Sequence, residues 1–397
     1  MNQSETQDFS KLPSLGTTIF TVMSKMAQEF DAINLSQGFP DFEPPEALIE
    51  AFRYRLSAGH HQYPPMHGIP ALRTQIQKKV ARYHQVFVDP ETEVTITSGA
   101  TEAIFVTVQA LVRQGDEVVI FDPAFDAYAP AVTLAGGTAK HLPLTGTQFE
   151  IDVDALTRAV SPRTRLLIIN SPHNPCGGLI AQAVLEHIAE LADKHDFYVL
   201  SDEVYEHMVF DGQRHVSAIE IPALRKRTFM ISSFGKTLHA TGWKVAYCVA
   251  PPTLTVEFRK IHQFVTFTTH TPCQWAIADF LAKDGGHVEA LPAFYEKKRD
   301  LFKALFEPLG FQLTLSQGTY FQLANYSAIP ALRGLTDKDC ANTLTQKFGV
   351  AAIPISVFYD RPPQDQRLIR FCFAKDDETL RQAARRLETR LNERRKL

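Results

Sequence analysis

The chain is 397 residues long, which is enough for two domains or for one large core with a smaller unit attached. Hydrophobic residues make up 45% of the sequence and charged residues 21%, and both values are ordinary for a soluble globular protein. The net charge of −3 argues against a bulk attraction to nucleic acid or to an anionic membrane surface.

The N-terminus and the cysteines indicate a cytoplasmic protein. Met1 to Phe9 lack the basic-then-apolar pattern of a secretion signal, and no apolar run approaches the ~18 residues that span a membrane. The cysteines are odd in number, far apart and without a CxxC pair, which argues against a disulfide framework and against a zinc site. They are Cys176, Cys248, Cys273, Cys340 and Cys372. We therefore expect a protein of a reducing compartment that binds no metal.

From about Glu93 onwards, the sequence repeats a short apolar run, a turn and a longer amphipathic stretch. Because the apolar runs lack polar alternation and are separated by helical patterns, they predict an α/β fold with a mostly parallel sheet covered on both faces. Such sheets bind ligands beyond the carboxyl ends of their strands. The predicted strands are Glu93–Thr97, Glu117–Phe121, Arg165–Asn170, Phe197–Leu200 and Arg227–Ser232.

The pattern changes after about Gly286. A long helical stretch from Glu289 to Leu309 leads into three predicted strands with helices between them, which is an α+β pattern. These strands are Gln312–Leu315, Tyr320–Ala324 and Leu368–Phe373. We expect a large domain over residues 41–286, a smaller C-terminal domain over residues 287–397, and an N-terminal arm. This arm, residues 1–40, is expected to pack on the small domain or on a partner subunit.

Lys236 follows a predicted strand and lies in the turn Ser232–Thr237. A lysine in such a turn is usually a solvated loop residue. Gly235–Lys236–Thr237 imitates the end of a phosphate-binding P-loop, but that motif requires a glycine where Met230 stands. The dinucleotide-binding fingerprint is excluded as well, because the chain contains no Gly-x-Gly.

Other polar residues near predicted strand ends change the interpretation of Lys236. They are Asp202 and Tyr205 in the segment DEVY, Asn174 in the segment NSPHNP, and Lys244 downstream. Together with the segments Leu35–Asp41 and Ile369–Phe371, they resemble the motifs of the class I, fold-type I aminotransferases that depend on pyridoxal 5′-phosphate (PLP). The resemblance covers nearly the whole chain and implies the fold of that family, a large PLP-binding domain with a smaller α+β domain.

The resemblance implies a catalytic centre of three residues. Lys236 would carry the cofactor as a Schiff base, Asp202 would pair with its pyridine nitrogen, and Tyr205, with Asn174, would hydrogen-bond its ring oxygen. Such a lysine must be unprotonated part of the time, which burial near cations favours. From the residues alone, three structural roles stay open: a helix cap for Asp202, a half-buried aromatic for Tyr205 and an Asx-Pro turn for Asn174.

The phosphate of the cofactor requires N–H donors and positive charge. The turn Gly99–Ala100–Thr101 opens a predicted helix, and helix N-termini attract anions. The resemblance adds Ser233 and Lys244 as phosphate contacts. Much of the family has an arginine at the position of Lys244, so the lysine keeps the positive charge but cannot make the bidentate contact. It also implies that Phe125 stacks on the ring, although Phe125 alone would be taken for a core residue. Tyr63 resembles the tyrosine that reaches across a dimer to the neighbouring phosphate, which implies a homodimer with shared sites.

Arg370 lies in an apolar predicted strand, where an unpaired charge would be costly. Its guanidinium fits a carboxylate with two hydrogen bonds. By the resemblance, it binds the α-carboxylate of an amino acid, assisted by the backbone of Gly38 and the side chain of Asn174. A buried structural ion pair is the alternative. No second arginine is evident for a dicarboxylate, and aromatic residues predict an apolar pocket: Ile19–Phe20, Phe39, Tyr63 and Phe264–Phe267.

The resemblance implies an enzyme that moves the amino group of a hydrophobic amino acid to a 2-oxo acid. The resemblance is closest to the methionine and kynurenine aminotransferase branch, through Leu35–Phe42 and Ile353–Phe358. The expected amino-group donors are therefore methionine, aromatic amino acids, glutamine or kynurenine. A PLP-dependent cysteine-conjugate β-lyase would use the same residues and is the first alternative. An effector-sensing regulator is the second, but it requires an N-terminal DNA-binding module, for which the first ~40 residues leave no room.

Overall fold

A seven-stranded sheet forms the centre of the computed structural model, which describes residues 10–13, 15–283 and 285–395. The Met1 to Phe9 segment, on which the expectation about a secretion signal rests, lies outside the described residues. Within the described residues, no helix is long and apolar enough to cross a membrane.

The elements up to the end of the central sheet are α1 Ile19–Glu29, β1 Ile33–Asn34, α2 Glu46–Ser57, α3 Pro70–His84, β2 Val94–Thr97, α4 Ala100–Leu111, β3 Glu117–Asp122, α5 Tyr128–Leu134, β4 Thr138–Pro143, α6 Val153–Ala159, β5 Thr164–Asn170, α7 Gln182–His195, β6 Tyr198–Asp202, α8 Pro222–Arg225, β7 Thr228–Ser233, α9 Phe234–Thr237 and β8 Ala246–Val249. The remaining elements are α10 Pro252–Val265, α11 Thr271–Lys283, α12 His287–Phe306, β9 Gln312–Leu313, β10 Phe321–Asn325, α13 Asp337–Phe348, β11 Val350–Ala351, β12 Ile353–Pro354, β13 Leu368–Cys372 and α14 Asp377–Arg395.

The predicted mostly parallel sheet is confirmed. Its strand order is β2-β8-β7-β6-β5-β3-β4. The strand β8 runs antiparallel to both of its neighbours, β2 and β7, and the other neighbouring strands pair in parallel. Five of these seven strands were predicted from the sequence, and β4 and β8 were not. β4 is an edge strand with polar and half-exposed residues, whereas β8 is a buried apolar run of four residues that the prediction overlooked.

Parallel pairing brings polar residues to one edge of the sheet. In β5 and β6, Asn170 lies opposite Asp202, and both are the last residues of their strands. Ser233 ends the adjacent strand β7. Because these strands are parallel, their carboxyl ends lie side by side, as expected for a ligand-binding edge.

A second, four-stranded sheet lies in the C-terminal part of the chain. Its order is β12-β13-β10-β9 with antiparallel pairing, and its core includes the stacked rings of Phe302 and Phe306. The N-terminal arm contacts this part, because Ile33 in β1 pairs with Val350 in β11. The division of the chain at residues 40 and 286 remains our proposal.

A buried ionic cluster links α3 to the segment that follows β6. The carboxylate of Glu206 accepts hydrogen bonds from Lys79 Nζ at 2.7 Å and from Tyr247, and it pairs with His84 Nε2 at 2.7 Å. Burial works to raise the pKa of Glu206, but the charge of Lys79 and the hydrogen bond from His84 hold this pKa well below its ordinary value. The cluster is therefore ionised, and each charge depends on the others for compensation.

We predict that Glu206→Gln lowers the free energy of unfolding by about 3–5 kcal/mol, because it leaves the buried ammonium of Lys79 without a paired carboxylate and removes one of the two carboxylates that pair with His84. The measurement is urea unfolding at neutral pH. Glu257→Gln is the matched control, since Glu257 pairs with Lys260 on the surface and should lose less than about 1 kcal/mol. Equal losses in the two variants would contradict the role assigned to the cluster.

Candidate active site

A cavity of about 260 Å³ opens at the carboxyl ends of β5, β6 and β7. The N-terminal arm and the C-terminal sheet close it from the other side, through Phe20 and Phe321. Of the predicted site residues, all except Tyr63 line this cavity: Gly38, Gly99, Ala100, Thr101, Phe125, Asn174, Asp202, Tyr205, Ser233, Lys236, Lys244 and Arg370.

Lys236 lies in α9, a single helical turn that begins directly after β7. The segment Ser232–Thr237, which was predicted as a turn, thus contains a short helix. The Lys236 Nζ donates hydrogen bonds to the Tyr320 hydroxyl at 2.9 Å and to the Gly38 carbonyl oxygen at 3.2 Å. Burial lowers the pKa of Lys236 to about 8. About a tenth of the amine is therefore unprotonated at pH 7, whereas an ordinary lysine is almost fully protonated there, and a nucleophilic lysine requires this unprotonated form.

Asp202 presents a buried carboxyl to the cavity. Its Oδ2 accepts a hydrogen bond from the Tyr128 hydroxyl at 2.7 Å, and its backbone oxygen accepts one from Asn170 Nδ2 at 2.8 Å. Turns follow Asp202, so the alternative that it caps a helix is wrong. Burial raises the pKa of Asp202 to about 6. A cation placed beside this carboxyl would favour its ionised form.

Positive charge and backbone N–H groups meet at the start of α4. Gly99 precedes this helix with φ of +85°, a conformation that favours glycine. A Cβ atom at Gly99 would lie 2.7 Å from Lys244 Nζ, so a side chain at position 99 would displace the ammonium group from the position that it occupies here. Thr101 and Ser233 complete this side of the cavity. The arrangement is suited to an anion such as a phosphate.

Arg370 is fully buried in β13. Its Nη1 donates to Asn174 Oδ1 at 2.9 Å and its Nη2 to the Ser36 carbonyl oxygen at 3.0 Å, while Nε has no partner among the described residues. The guanidinium carbon lies 4.0 Å from the ring centroid of Phe321. These contacts are all neutral, so the alternative of a structural ion pair is not supported. A buried cation of this kind is compensated when a carboxylate enters the cavity.

Tyr63 does not join this cavity. Its side chain is 83% exposed and meets Phe267 edge-on, with ring centroids 5.5 Å apart. Phe264 is 86% exposed and Phe39 is 44% exposed. These three residues do not line the cavity of a single chain, and the apolar pocket that they were expected to form stays a prediction. Phe20 is the one predicted aromatic of this group that lines the cavity.

The sequence analysis missed four residues that support the site: Ser36, Tyr128, Asn170 and Tyr320. Ser36 and Asn170 lie within segments already singled out, but nothing marks them as hydrogen-bonding partners of Arg370 and Asp202. Tyr128 and Tyr320 are buried tyrosines, and only the tertiary structure shows where their hydroxyls point. The described residues contain no group of three or more His, Cys, Asp or Glu side chains that could hold a metal ion.

Comparisons with known proteins identify the family. The model described as aminotransferase class I and II matches residues 31–387. Methionine aminotransferase of Escherichia coli K12 is 47% identical over 378 residues, which cover 95% of this chain and 97% of that protein. Kynurenine–oxoglutarate transaminase 1 of Rattus norvegicus is 35% identical over 407 residues, which cover 95% and 96% of the two chains.

A solved structure agrees with these matches. The crystal structure of an Escherichia coli protein with an identified methionine aminotransferase function has a TM-score of 0.92 to this chain at 47% identity. The match covers 96% of this chain and 98% of that one. The predicted fold and the predicted class of enzyme are both confirmed, and the chain belongs to the class I and II aminotransferases.

Proposed function

We propose that this aminotransferase uses PLP and transfers the α-amino group of hydrophobic amino acids, methionine and aromatic ones first, to a 2-oxo acid. The observation that carries the proposal is a buried amine, Lys236, in one cavity with a buried guanidinium, Arg370, whose hydrogen-bond partners among the described residues are all neutral. An enzyme that exchanges the amino group of an amino acid requires both a nucleophilic amine and an anchor for the carboxylate.

The charges in the cavity fit PLP. Lys236 would hold the cofactor through Nζ, and Asp202 would face the ring nitrogen. The start of α4, with Ser233 and Lys244, would receive the phosphate, where Gly99 leaves space for the ammonium group. Phe125 would lie against the ring, and Tyr205 and Asn174 would reach the ring oxygen. When bound, PLP supplies the electron sink that stabilises negative charge on the substrate Cα.

The residues of the chain bind the substrate and transfer its proton. Arg370 binds the α-carboxylate and Asn174 holds the guanidinium in place, which orients the Cα–H bond. Lys236 Nζ, as the neutral amine, would take the Cα proton, and as the resulting ammonium it would hold a proton that it can give back. One group that acts first as base and then as acid is suited to this transfer, and its pKa of about 8 permits both states.

Apolar side chains of the cavity are available for the substrate side chain. Phe20, Ile104 and Phe321 are among the lining residues, and Arg370 is the sole arginine among the described ones. We therefore expect substrates with an uncharged side chain. Because one methylene changes binding by only ~1–3 kcal/mol, we expect several hydrophobic amino acids to react. The names of the Escherichia coli and rat relatives support methionine and aromatic donors.

We predict that Lys236→Ala abolishes the visible absorbance band that forms when PLP is added to the protein. Borohydride should shift this band in the unchanged protein, and methionine should bleach it with formation of the corresponding 2-oxo acid. We expect the turnover of methionine to fall by about 10²–10⁴-fold in the variant, because it lacks its acid–base group.

Lys226→Ala is the matched control, because Lys226 is an exposed lysine that pairs with Asp193. It should retain the band and the turnover. An unchanged protein that stays colourless with PLP would overturn the proposed function. Given a cysteine S-conjugate, the β-lyase alternative would release pyruvate and a thiol without transferring nitrogen.

We predict that Arg370→Lys lowers kcat/KM for methionine by about 10–100-fold, because lysine cannot make the two hydrogen bonds of the guanidinium. The PLP band should form as before. The control substrate is 3-(methylthio)propylamine, which has the same side chain but no carboxylate, and its slow reaction should change little. A similar loss for both substrates would show that Arg370 acts on something other than the carboxylate.

We further propose a homodimer in which each subunit completes the site of the other. Its support is the exposed aromatic surface around Tyr63, Phe264 and Phe267, since large exposed aromatic side chains are enriched at interfaces. Tyr63 would then reach the phosphate of the neighbouring subunit. A cytoplasmic location also stays a proposal, supported by five buried and unpaired cysteines.

We predict that mixing two defective variants restores activity at limiting PLP. Lys236→Ala should be inactive, and Tyr63→Ala should bind PLP weakly. In a mixed dimer, one site combines the intact Lys236 of one subunit with the intact Tyr63 of the other. Recovery after the subunits are exchanged, measured as methionine turnover, is the expected result. No recovery despite subunit exchange would contradict shared sites.

A further inference from the structure

Tyr320 brings its hydroxyl to the amine of Lys236 from the C-terminal sheet. It is buried directly before β10, and its ring meets that of Tyr205 edge-on, with centroids 5.2 Å apart. Lys236 Nζ donates to the Tyr320 hydroxyl at 2.9 Å and to the Gly38 carbonyl oxygen at 3.2 Å. The Tyr320 hydroxyl itself donates to the same carbonyl at 2.5 Å. Three separate parts of the chain thus form a closed triangle of hydrogen bonds.

The direction of these hydrogen bonds follows from the groups involved. A carbonyl oxygen can only accept, so the single proton of the Tyr320 hydroxyl points to Gly38 and its lone pairs accept from Lys236. Burial holds the pKa of Tyr320 well above its ordinary value, so the phenol stays neutral. Lys236 therefore has two neutral acceptors. They orient the amine without retaining its proton as strongly as a carboxylate would.

The charged or ionisable groups that act on this amine come from several elements. They are Asp202 at the end of β6, Lys244 before β8, and Arg370 and Cys372 in β13. Within the described part of the chain, none of them is hydrogen-bonded to Nζ. Burial and the two cations lower the pKa of Lys236, but they do not fix its position. Its position depends on Tyr320 and Gly38.

The proposed reaction requires such a fixed position. To move a proton, Lys236 must first be free of the cofactor, and a free lysine side chain has many conformations. A displacement of about 1 Å from the reacting atom can cost ~10²-fold in rate. We propose that Tyr320 is a positioning residue that holds the released Lys236 amine beside the substrate Cα during proton transfer. This inference rests on the proposed function.

The C-terminal sheet links this residue to substrate binding. Tyr320 immediately precedes β10, and in the pairing of β10 with β13, Leu323 lies opposite Arg370. The anchor for the carboxylate and the anchor for the amine therefore belong to the same antiparallel pair. The backbone of Gly38 packs closely against β10, because a Cβ atom on Gly38 would lie 2.7 Å from the Phe321 ring. The sheet thus sets the distance between the bound carboxylate and the base.

The test compares Tyr320→Phe with Tyr295→Phe. The Tyr295 ring lies in the same aromatic group, 5.7 Å from that of Tyr320, and its buried hydroxyl has no partner among the described residues. Both variants keep a six-membered ring and lose one buried hydroxyl. Thermal unfolding of the two variants checks that their folds are equally intact. Only Tyr320→Phe removes a contact to Lys236.

We predict that Tyr320→Phe lowers kcat for methionine by about 10–100-fold with little change in KM. The isotope effect on kcat with α-deuterated methionine should rise, because proton transfer becomes more rate-limiting. The cofactor-free protein should still form the visible band with PLP. The pH midpoint of the rate of band formation should fall, because the ammonium form of Lys236 has lost one acceptor. Tyr295→Phe should match the unchanged protein in all four measurements.

Two different results separate the failure of this inference from the failure of the proposed function. If Tyr320→Phe equals Tyr295→Phe in kcat, isotope effect and pH midpoint, the Tyr320 hydroxyl is a packing group and the inference is wrong. If the unchanged protein forms no band with PLP, the proposed function itself fails.

Discussion

The burial of charge at the carboxyl edge of the central sheet is the constraint on which the rest of this structure depends. Lys236, Asp202 and Arg370 all lose most of their hydration there, and burial displaces the pKa of each group towards its neutral form. Charges in such a place must be compensated by neighbours or by a ligand. Here the protein supplies neutral hydrogen-bonding partners and leaves the compensation of charge to what enters the cavity.

Each of the two sheets positions some of these buried ionisable residues. The parallel sheet positions Asp202 and, through α9, Lys236, because its strand ends lie side by side. The antiparallel sheet carries Arg370 in β13 and places Tyr320 directly before β10. Each half alone would have an incomplete set of groups. The cavity has its chemical character only where the halves meet, and the N-terminal arm closes it with Gly38 and Phe20.

Much of this arrangement could be predicted from the sequence. Strands β3, β5, β6 and β7 are continuous apolar runs, and Lys236, Asp202 and Arg370 interrupt or follow apolar runs, so each was recognisable. The strand β4 was missed because it is a polar, partly exposed edge strand, and β8 was overlooked although its four residues are apolar and buried. Tyr128 and Tyr320 were missed for another reason: a tyrosine has the same pattern in a core as in a hydrogen-bonding role. The aromatic residues from Phe264 to Phe267 were placed in a pocket because a sequence does not show which way a ring faces.

Gly99 has a consequence for how this sequence can change. A side chain at position 99 would occupy the space of Lys244 Nζ, and the φ of +85° disfavours other residues as well. An arginine at position 244 would bring a wider, planar group to the same glycine. The residue at position 99 therefore sets how much space is open to the end of the side chain at position 244, although the two positions are far apart in the chain. Any side chain at position 99 would displace the end of Lys244 from the start of α4.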